Sequence, residues 1–174
     1  MSVLPGFEGR LIRPGDSAYE DARAVYNAMI DKRPALIARC AGPADVARAI
    51  AYARSHELPL AVRGGGHNGA GLGTCDDGLV IDLCELNGVS VDPQARTVRV
   101  GGGCTLGEVD RATHEYGLAT PSGIISTTGV GGITLGGGLG YLTRSCGLAI
   151  DTMAARTKVE TYREQRMLEF PLCS

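Results

Sequence analysis

The strongest candidate for chemistry in the sequence is a glycine run that ends in an imidazole and an amide side chain. It reads Arg63-Gly64-Gly65-Gly66-His67-Asn68-Gly69. Successive backbone N–H groups in a tight turn form a concavity that binds anions, and the missing Cβ atoms let such a backbone approach a diphosphate closely. Two interpretations stay open on these residues alone: an anion-binding turn beside an imidazole, with the arginine as a structural charge, or a wide glycine loop with a solvated histidine.

The same glycines also match the G-x-G-x-x-G fingerprint of Rossmann dinucleotide-binding domains. That fingerprint must open a helix whose N-terminus faces the pyrophosphate. Residues 70–78, which follow the run, contain three glycines and two aspartates and cannot form a stable helix. Asp82 and Glu85 lie about as far along the chain as the acidic residue that binds the ribose in Rossmann domains. Without the helix, this spacing does not indicate a ribose site. We therefore do not favour a Rossmann domain.

A second region is even richer in glycine. Residues 129–140 read GVGGITLGGGLG, with seven glycines in twelve positions. The entropic cost of so many glycines indicates that a specific backbone conformation is required there. The region lacks the lysine of the G-x-x-x-x-G-K-[ST] motif, which excludes a P-loop nucleotidase. Two uncharged glycine-rich segments favour one ligand held by two loops, and a flat ring between bare backbones fits that description.

The elements before the first glycine run are predicted to form a parallel strand–helix–strand unit. Residues 34–40 are typical of a short strand, and Pro43 begins a helix that runs to about His56. Residues 58–63 then form a buried strand that ends abruptly at the glycines. A strand, a helix and a second strand within about 30 residues indicate a parallel crossover.

Beyond the first glycine run, the sequence pattern changes. Residues 79–83 are typical of a strand, and residues 89–92 and 97–100 are typical of a β-hairpin. Thr105 is placed to cap a helix, with Glu108 three residues on in the capping-box position. The sequence therefore predicts an α+β domain that opens with a parallel unit.

Composition narrows the classes of partner and compartment. The 174 residues carry 17 basic and 19 acidic side chains, so a net charge of -2 gives no electrostatic reason to expect nucleic acid or an anionic membrane. The six cysteines are scattered without a C-x-x-C pair, which argues against a metal site or a disulfide framework and favours the cytoplasm. Residues 116–143 are uncharged, but their glycines and Pro121 make them a poor membrane-spanning helix.

Several motifs in a fixed order resemble the FAD-linked oxidases of the vanillyl-alcohol oxidase and p-cresol methylhydroxylase type, in the berberine-bridge-like branch. The resemblance is continuous from about Pro34 to Met153. It rests on the following stretches: residues 63–68 after a strand, Val80-Ile81-Asp82-Leu83, Val98 to Gly103, Pro121-Ser122-Gly123, Gly129 to Gly132, Gly136 to Gly140, and Arg144-x-x-Gly147-Leu148-Ala149-x-Asp151.

The resemblance implies the family's FAD-binding domain, in which a small parallel-sheet subdomain packs on a mixed, mostly antiparallel subdomain. It divides the chain into an N-terminal extension at 1–33, an incomplete FAD-binding domain at 34–153 and a divergent tail at 154–174. The extension is expected to hold a helix over residues 18–29, capped by Asp16 or Ser17. The chain is accordingly expected to be an N-terminal fragment of a longer protein.

The resemblance also implies roles for single residues. The loop of Arg63, Gly64, Gly65, Gly66, His67 and Asn68 would hold the FAD diphosphate. His67 would join covalently to the benzenoid methyl carbon of the flavin, which suits a neutral imidazole nitrogen. Thr128, Gly131 and Gly132 would approach the ring system. Some relatives have a second tether, a cysteine at the position that Ile125 occupies here, so a flavin with two tethers is not expected.

The function that follows is an FAD-dependent oxidoreductase. A small organic substrate would pass a hydride to a flavin tethered through one histidine, and oxygen would be the electron acceptor. No residue qualifies as the catalytic base, and the base usually lies in the part of the family that this chain lacks. The alternative is a non-catalytic truncated remnant that at most binds flavin. The substrate and the oligomeric state stay open, and no metal is expected.

Overall fold

The computed structural model describes residues 4–153 and 168–172. The chain divides into two compact units. The first unit contains the described residues 4–86, and the second contains the described residues 87–153 and 168–172. Most of the predicted divergent tail therefore lies outside the described residues. Within the described part of the chain, no helix has both the length and the apolar character needed to cross a membrane.

The first unit is built on a four-stranded sheet. Its elements are β1 (Arg10–Ile12), α1 (Tyr19–Arg23), β2 (Leu36–Arg39), α2 (Pro43–Ser55), β3 (Leu60–Arg63) and β4 (Leu79–Asp82). The strand order is β1-β2-β4-β3, with β2, β4 and β3 parallel and β1 antiparallel to β2. This topology confirms the predicted parallel crossover through α2, which begins at Pro43 as expected.

Strand β4 lies at the centre of this unit and is buried along its whole length. On one face, Leu79 and Ile81 pack with the α2 residues Ala49 and Ala53. On the other face, Val80 packs with a cluster that includes Ile12, Tyr19, Ala22 and Ile37. A strand buried on both faces needs a continuous apolar run, and the residues 79–81 supply it. The parallel register places Arg39 and Arg63 on either side of Asp82 at the carboxyl ends of the strands.

The second unit contains an antiparallel sheet and four helices. Its elements are β5 (Val89–Asp92), β6 (Thr97–Val100), α3 (Leu106–His114), α4 (Val130–Leu135), α5 (Thr143–Cys146), α6 (Ala149–Thr152) and β7 (Leu168–Pro171). The strand order is β5-β6-β7, with Val91 opposite Val98 in the predicted hairpin. The Thr105 N–H donates to the Glu108 carboxylate at 2.7 Å, so the predicted helix start is also confirmed. Both units together confirm the α+β class.

One local expectation about the elements was wrong, and two elements were not predicted. The helix expected over residues 18–29 is only α1, which ends at Arg23, and it begins without a capping side chain from residue 16 or 17. Strand β1 was not expected because three residues carry too little pattern to identify a strand. Helix α4 was missed because two of its six residues are glycine, which is a poor helix former.

Candidate functional site

The first glycine run begins at a buried ion pair. Arg63, the last residue of β3, is 7% exposed, and its Nη2 donates to Asp82 Oδ2 at 2.9 Å. Asp82 ends β4 and is 2% exposed. The same carboxylate also accepts a hydrogen bond from Arg39 Nε at 3.2 Å and one from the Cys84 N–H at 3.2 Å. The guanidinium of Arg63 is thus committed to Asp82, and it fixes the point at which the loop leaves the sheet.

The charge state of Asp82 follows from competing effects. Burial alone raises the pKa of this carboxyl, because the charged form loses its hydration. The positive charge and hydrogen bond of Arg63, with the donors from Cys84 and Arg39, outweigh that effect and bring the pKa below its ordinary value. Asp82 is therefore ionised at neutral pH, and the buried arginine has the counter-charge that it needs.

The three glycines after Arg63 carry hydrogen-bond donors without acceptors. Among the described residues, no acceptor meets the backbone N–H groups of Gly64, Gly65 or Gly66. All three residues are half-buried. Gly66 has a φ of +69°, a conformation that side-chain-bearing residues rarely adopt, and its carbonyl accepts from the Tyr26 N–H at 3.1 Å. Half-buried donors that lack a protein partner are suited to an anionic ligand.

His67 and Asn68 follow these donors. The imidazole of His67 is half-buried and stacks on the ring of Tyr26, with ring centroids 4.0 Å apart and planes 19° from parallel. The side-chain oxygen of Asn68 accepts from the N–H groups of Ala70 and Leu72, both at 3.1 Å. Asn68 therefore shapes the loop beyond the glycines through its own side chain.

The segment from Ala24 to Arg33, named here the brace, fastens the loop from outside. The Ala24 carbonyl accepts from Arg63 Nη1 at 3.4 Å, and Asn27 Nδ2 donates to the Gly69 carbonyl at 3.0 Å. Lys32 Nζ donates to the carbonyls of Gly71 at 3.1 Å and Thr74 at 3.3 Å. The Arg33 N–H donates to Asp76 Oδ1 at 2.8 Å. These contacts explain why α1 stops at Arg23: the backbone beyond it bonds to the loop.

The other predicted site residues lie in the second unit. Thr128 donates its N–H to the Ile125 carbonyl at 3.0 Å, and its own carbonyl accepts from the Leu106 N–H at 2.9 Å. A Cβ added to Gly131 would lie 3.0 Å from the Gly102 carbonyl oxygen, so this glycine permits close backbone packing. A Cβ added to Gly132 would meet no atom within 4 Å. The surface over Gly132 is open and bare.

The cysteines do not form a reactive or metal-binding cluster among the described residues. Burial raises the pKa of the Cys40 thiol to about 12 and that of Cys104 to about 11, so both stay protonated at neutral pH. Ile125, which the resemblance places at the position of a second tether, has no nucleophilic side chain. No group of three His, Cys, Asp or Glu side chains that could hold a metal ion occurs in the ranges 4–153 and 168–172.

The structure thus brings the predicted residues together in two groups. Arg63 to Asn68 form one continuous turn in the first unit, and Thr128, Gly131 and Gly132 are neighbours in the second unit. Sequence reasoning missed the ion pair of Arg63 with Asp82, because the sequence did not show which strand pairs with the strand that ends at Arg63. It also missed the brace and Tyr26, because the residues from 24 to 29 have the periodicity of a helix.

These features can be tested against the cofactor that the resemblance implies. The diphosphate of FAD offers anionic oxygens, which suit the unpartnered N–H groups of Gly64, Gly65 and Gly66. Its flat ring system needs a surface without side chains, and Gly132 provides one. The donor chemistry of the first unit and the bare surface of the second unit are both compatible with FAD.

Comparison with known proteins gives the family. A family model described as an FAD binding domain matches residues 34–159. An FAD-linked oxidoreductase of Dictyostelium discoideum is 39% identical over 153 residues, which make up 87% of this chain and 33% of that protein. The curated relatives that head the comparison are matched over only about a third of their length.

Two solved structures agree with this result. The 6-hydroxy-D-nicotine oxidase from Arthrobacter nicotinovorans is 37% identical, with a TM-score of 0.83 over 84% of this chain and 32% of that chain. The BBE-like 1 protein of Physcomitrella patens is 32% identical, with a TM-score of 0.81 over 87% of this chain and 33% of that chain. This chain therefore belongs to the FAD-binding domain family of the FAD-linked oxidoreductases.

Proposed function

We propose that this chain is the cofactor-binding part of an FAD-dependent oxidoreductase. The observation that carries the proposal is the turn at Gly64, Gly65 and Gly66, where half-buried glycines whose N–H groups have no acceptor among the described residues precede a stacked imidazole. Neighbouring backbone N–H groups that no protein acceptor satisfies are available to bind an anionic ligand in place of water.

The residues of the glycine turn in the first unit have distinct roles in this proposal. The N–H groups of Gly64, Gly65 and Gly66 bind the diphosphate oxygens of FAD. Arg63 fixes the start of the turn through Asp82. Asn68 closes the turn by accepting from the residues that follow it. In the second unit, Thr128, Gly131 and Gly132 serve the flavin ring system, and the open space over Gly132 supports that role.

His67 is the proposed site of covalent attachment. An imidazole nitrogen of His67 would hold the cofactor through a bond to a methyl carbon of the flavin. Formation of that bond would release one proton from the imidazole, one proton from the methyl group and two electrons, for which oxygen would be the final acceptor. The stacked, half-buried position of His67 supports the assignment because an imidazole held in one orientation reacts more readily than a freely rotating one.

Bound FAD supplies the capacity to accept a hydride from an organic substrate. We propose a small-molecule substrate and oxygen as the electron acceptor. The names of the neighbours support both, because the 6-hydroxy-D-nicotine oxidase and a xylooligosaccharide oxidase are oxidases with small substrates in their names. The cytoplasm stays a prediction, made from the scattered cysteines of the sequence.

A second candidate is a flavin-binding module without catalysis. The observation that favours it is a set of exposed apolar side chains in the second unit, between 60% and 80% accessible, which suit contact with further protein rather than with water. They are Ile124, Leu135, Leu139 and Tyr141.

Acid precipitation after incubation with FAD tests the proposal. We expect flavin to stay with the precipitated protein. Mass spectrometry should then find the added mass of the flavin only on the peptide that contains His67. His67→Ala should abolish the acid-stable flavin, whereas His114→Ala, an exposed change on α3, should leave it intact. A protein that binds no FAD at all would overturn the proposal. A protein that binds FAD without oxidising alcohols or sugars would favour the non-catalytic module.

A further inference from the structure

The ring of Tyr26 covers one face of the His67 imidazole. The centroids are 4.0 Å apart and the planes differ by 19°, which is a stacked arrangement. Tyr26 itself is 62% exposed, so burial of its ring in a core does not explain its position. An exposed aromatic side chain with one ordered partner is held there by that partner and by its own backbone.

The backbone of Tyr26 is fixed to the same loop. Its N–H donates to the Gly66 carbonyl at 3.1 Å, directly before His67. On one side of Tyr26, Val25 lies 3.7 Å from the position that a Cβ on Gly66 would occupy. On the other side, Asn27 Nδ2 donates to the Gly69 carbonyl at 3.0 Å. Three consecutive residues of the brace therefore hold the turn on both sides of His67.

We propose that Tyr26 is a positioning residue for His67, which deepens and rests on the function proposed above. The tyrosine ring restricts rotation of the imidazole about its side-chain bonds and shields one face of it. The ring nitrogens are then presented edge-on to an electrophile bound at the turn. Tyr26 acts through His67, and the role requires the ring alone, so its hydroxyl is dispensable.

The chain contains a matched pair for comparison. Tyr52 stacks on His56 with centroids also 4.0 Å apart and planes 25° from parallel. That pair ends helix α2, where His56 Nδ1 also lies 2.9 Å from the Tyr52 carbonyl oxygen. The second stack follows from helix geometry, because its partners are four residues apart. The first stack joins residues 41 positions apart in the sequence and is made by tertiary structure.

Acylation of the three histidines by diethyl pyrocarbonate tests the positioning without any flavin. Mass spectrometry of the peptides gives separate rates for His56, His67 and His114. Tyr26→Ala should raise the rate at His67 roughly two- to tenfold, the range that corresponds to loss of an aromatic stack. The rates at His56 and His114 should not change. Tyr26→Phe should match the wild type, and Tyr52→Leu should raise the rate at His56 alone.

The rate at which acid-stable flavin forms is the second readout, and this rate should fall in the variant whose acylation rate rises. Tyr26→Ala should slow the formation of acid-stable flavin about tenfold, because a misoriented nucleophile reacts more slowly. Non-covalent FAD binding should be retained, and Tyr26→Phe should restore the wild-type rate. A simple loss of structure cannot produce this result, since it would raise the acylation of all three histidines and weaken FAD binding as well.

The two readouts separate the inference from the proposed function. An unchanged acylation rate at His67 in Tyr26→Ala would overturn the positioning role, whatever the flavin does. Equal rates of flavin attachment in Tyr26→Ala and wild type would overturn it as well. A wild-type chain without acid-stable flavin would refute the attachment proposed for His67, and the acylation rates would still decide whether Tyr26 positions the imidazole. Tyr26→Leu, which keeps an apolar side chain without an aromatic ring, provides a second variant if the alanine change impairs folding.

Discussion

The two glycine-rich regions use the same residue type for different physical reasons. In the first unit, the glycines after β3 leave backbone N–H groups without acceptors and permit the positive φ of Gly66. In the second unit, most of the glycines in this region allow neighbouring segments to pack more closely than a Cβ would permit. A Cβ on Gly140 would lie 1.8 Å from the Ser122 carbonyl oxygen, and one on Gly138 would lie 2.3 Å from the Ala149 Cβ. The first region is organised by hydrogen-bond donors, and the second by close packing.

The difference also appears in what holds each region in place. The first turn is anchored by the buried charge pair of Arg63 and Asp82 and by polar contacts from the brace. The second region is held by backbone contacts such as the Ala149 N–H to the Gly138 carbonyl at 3.1 Å. Gly132 departs from its neighbours because the space around it is open. The first region should therefore be most sensitive to loss of charge, and the second to added side-chain atoms, except at Gly132.

The largest effect is expected from Asp82→Asn in the first region. The change leaves Arg63 buried at 7% exposure without its counter-charge, a situation that costs roughly 3–5 kcal/mol. Hydrogen exchange should show lost protection in β2, β3 and β4, with the hairpin of β5 and β6 unaffected. Protection that stays unchanged across the sheet of the first unit would show that the ion pair does not anchor the turn.

Gly140→Ala should have the largest effect in the second region. The added Cβ would overlap a backbone carbonyl, which no side-chain rotation relieves, and we expect a loss of about 3 kcal/mol. Chemical denaturation measures the change. Gly132→Ala is the control in the same unit, since its Cβ meets nothing. Equal stability of the two variants would contradict the account of close packing.

Acid should weaken the first unit through Asp82. The folded-state pKa of Asp82 lies below its ordinary value. Its contribution to stability is therefore fully present above the unfolded pKa, about 3.9, and is lost as the pH falls from there through the folded pKa. Exchange measured between pH 5 and pH 2 should show the sheet of the first unit losing protection as Asp82 becomes protonated. Asp82→Asn should abolish that pH dependence, and a persistent slope in the variant would assign it to another group.

The smallest effect on stability is expected from Gly132→Ala, which, unlike Gly140→Ala, should not destabilise the second unit. Alanine is the better helix former at this position in α4, so the free energy of unfolding should stay constant or rise by up to about 1 kcal/mol. FAD affinity should nevertheless fall, because a methyl group would occupy the bare surface proposed for the ring system. Calorimetric titration with FAD checks this, and an unchanged Kd would remove Gly132 from the proposed site.

Local signals predicted much of the fold. The hairpin of β5 and β6 and the start of α3 at Thr105 follow from short-range patterns, and both were predicted correctly. The helix expected over residues 18–29 was wrong beyond Arg23, because the Tyr26 N–H bonds to Gly66, forty residues away. A helical periodicity cannot reveal that competing contact. Helix α4 was missed for the converse reason, since tertiary contacts stabilise a helix that glycine disfavours.

The candidate site was also predicted only in part from the sequence. The glycine turn was identified from the sequence because its residue types suffice to suggest anion binding. The stack of Tyr26 on His67 and the ion pair of Arg63 with Asp82 depend on which residues the fold brings together. The ion pair could not be predicted, because the sequence did not show that the strand of Asp82 lies parallel to and beside the strand of Arg63. The stack could not be predicted either, because it depends on a segment without regular structure.

The amide resonances of Gly64, Gly65 and Gly66 test the central claim most directly. Titration of the 15N-labelled protein with FAD should move these three proton resonances downfield as the N–H groups acquire phosphate acceptors. ADP, which carries the diphosphate without the flavin ring, should produce the same shifts. The amide of Gly71, which already donates to the Asn68 carbonyl at 3.0 Å, should move far less and serves as the control. Saturating FAD that leaves the three glycine amides in place would contradict the account.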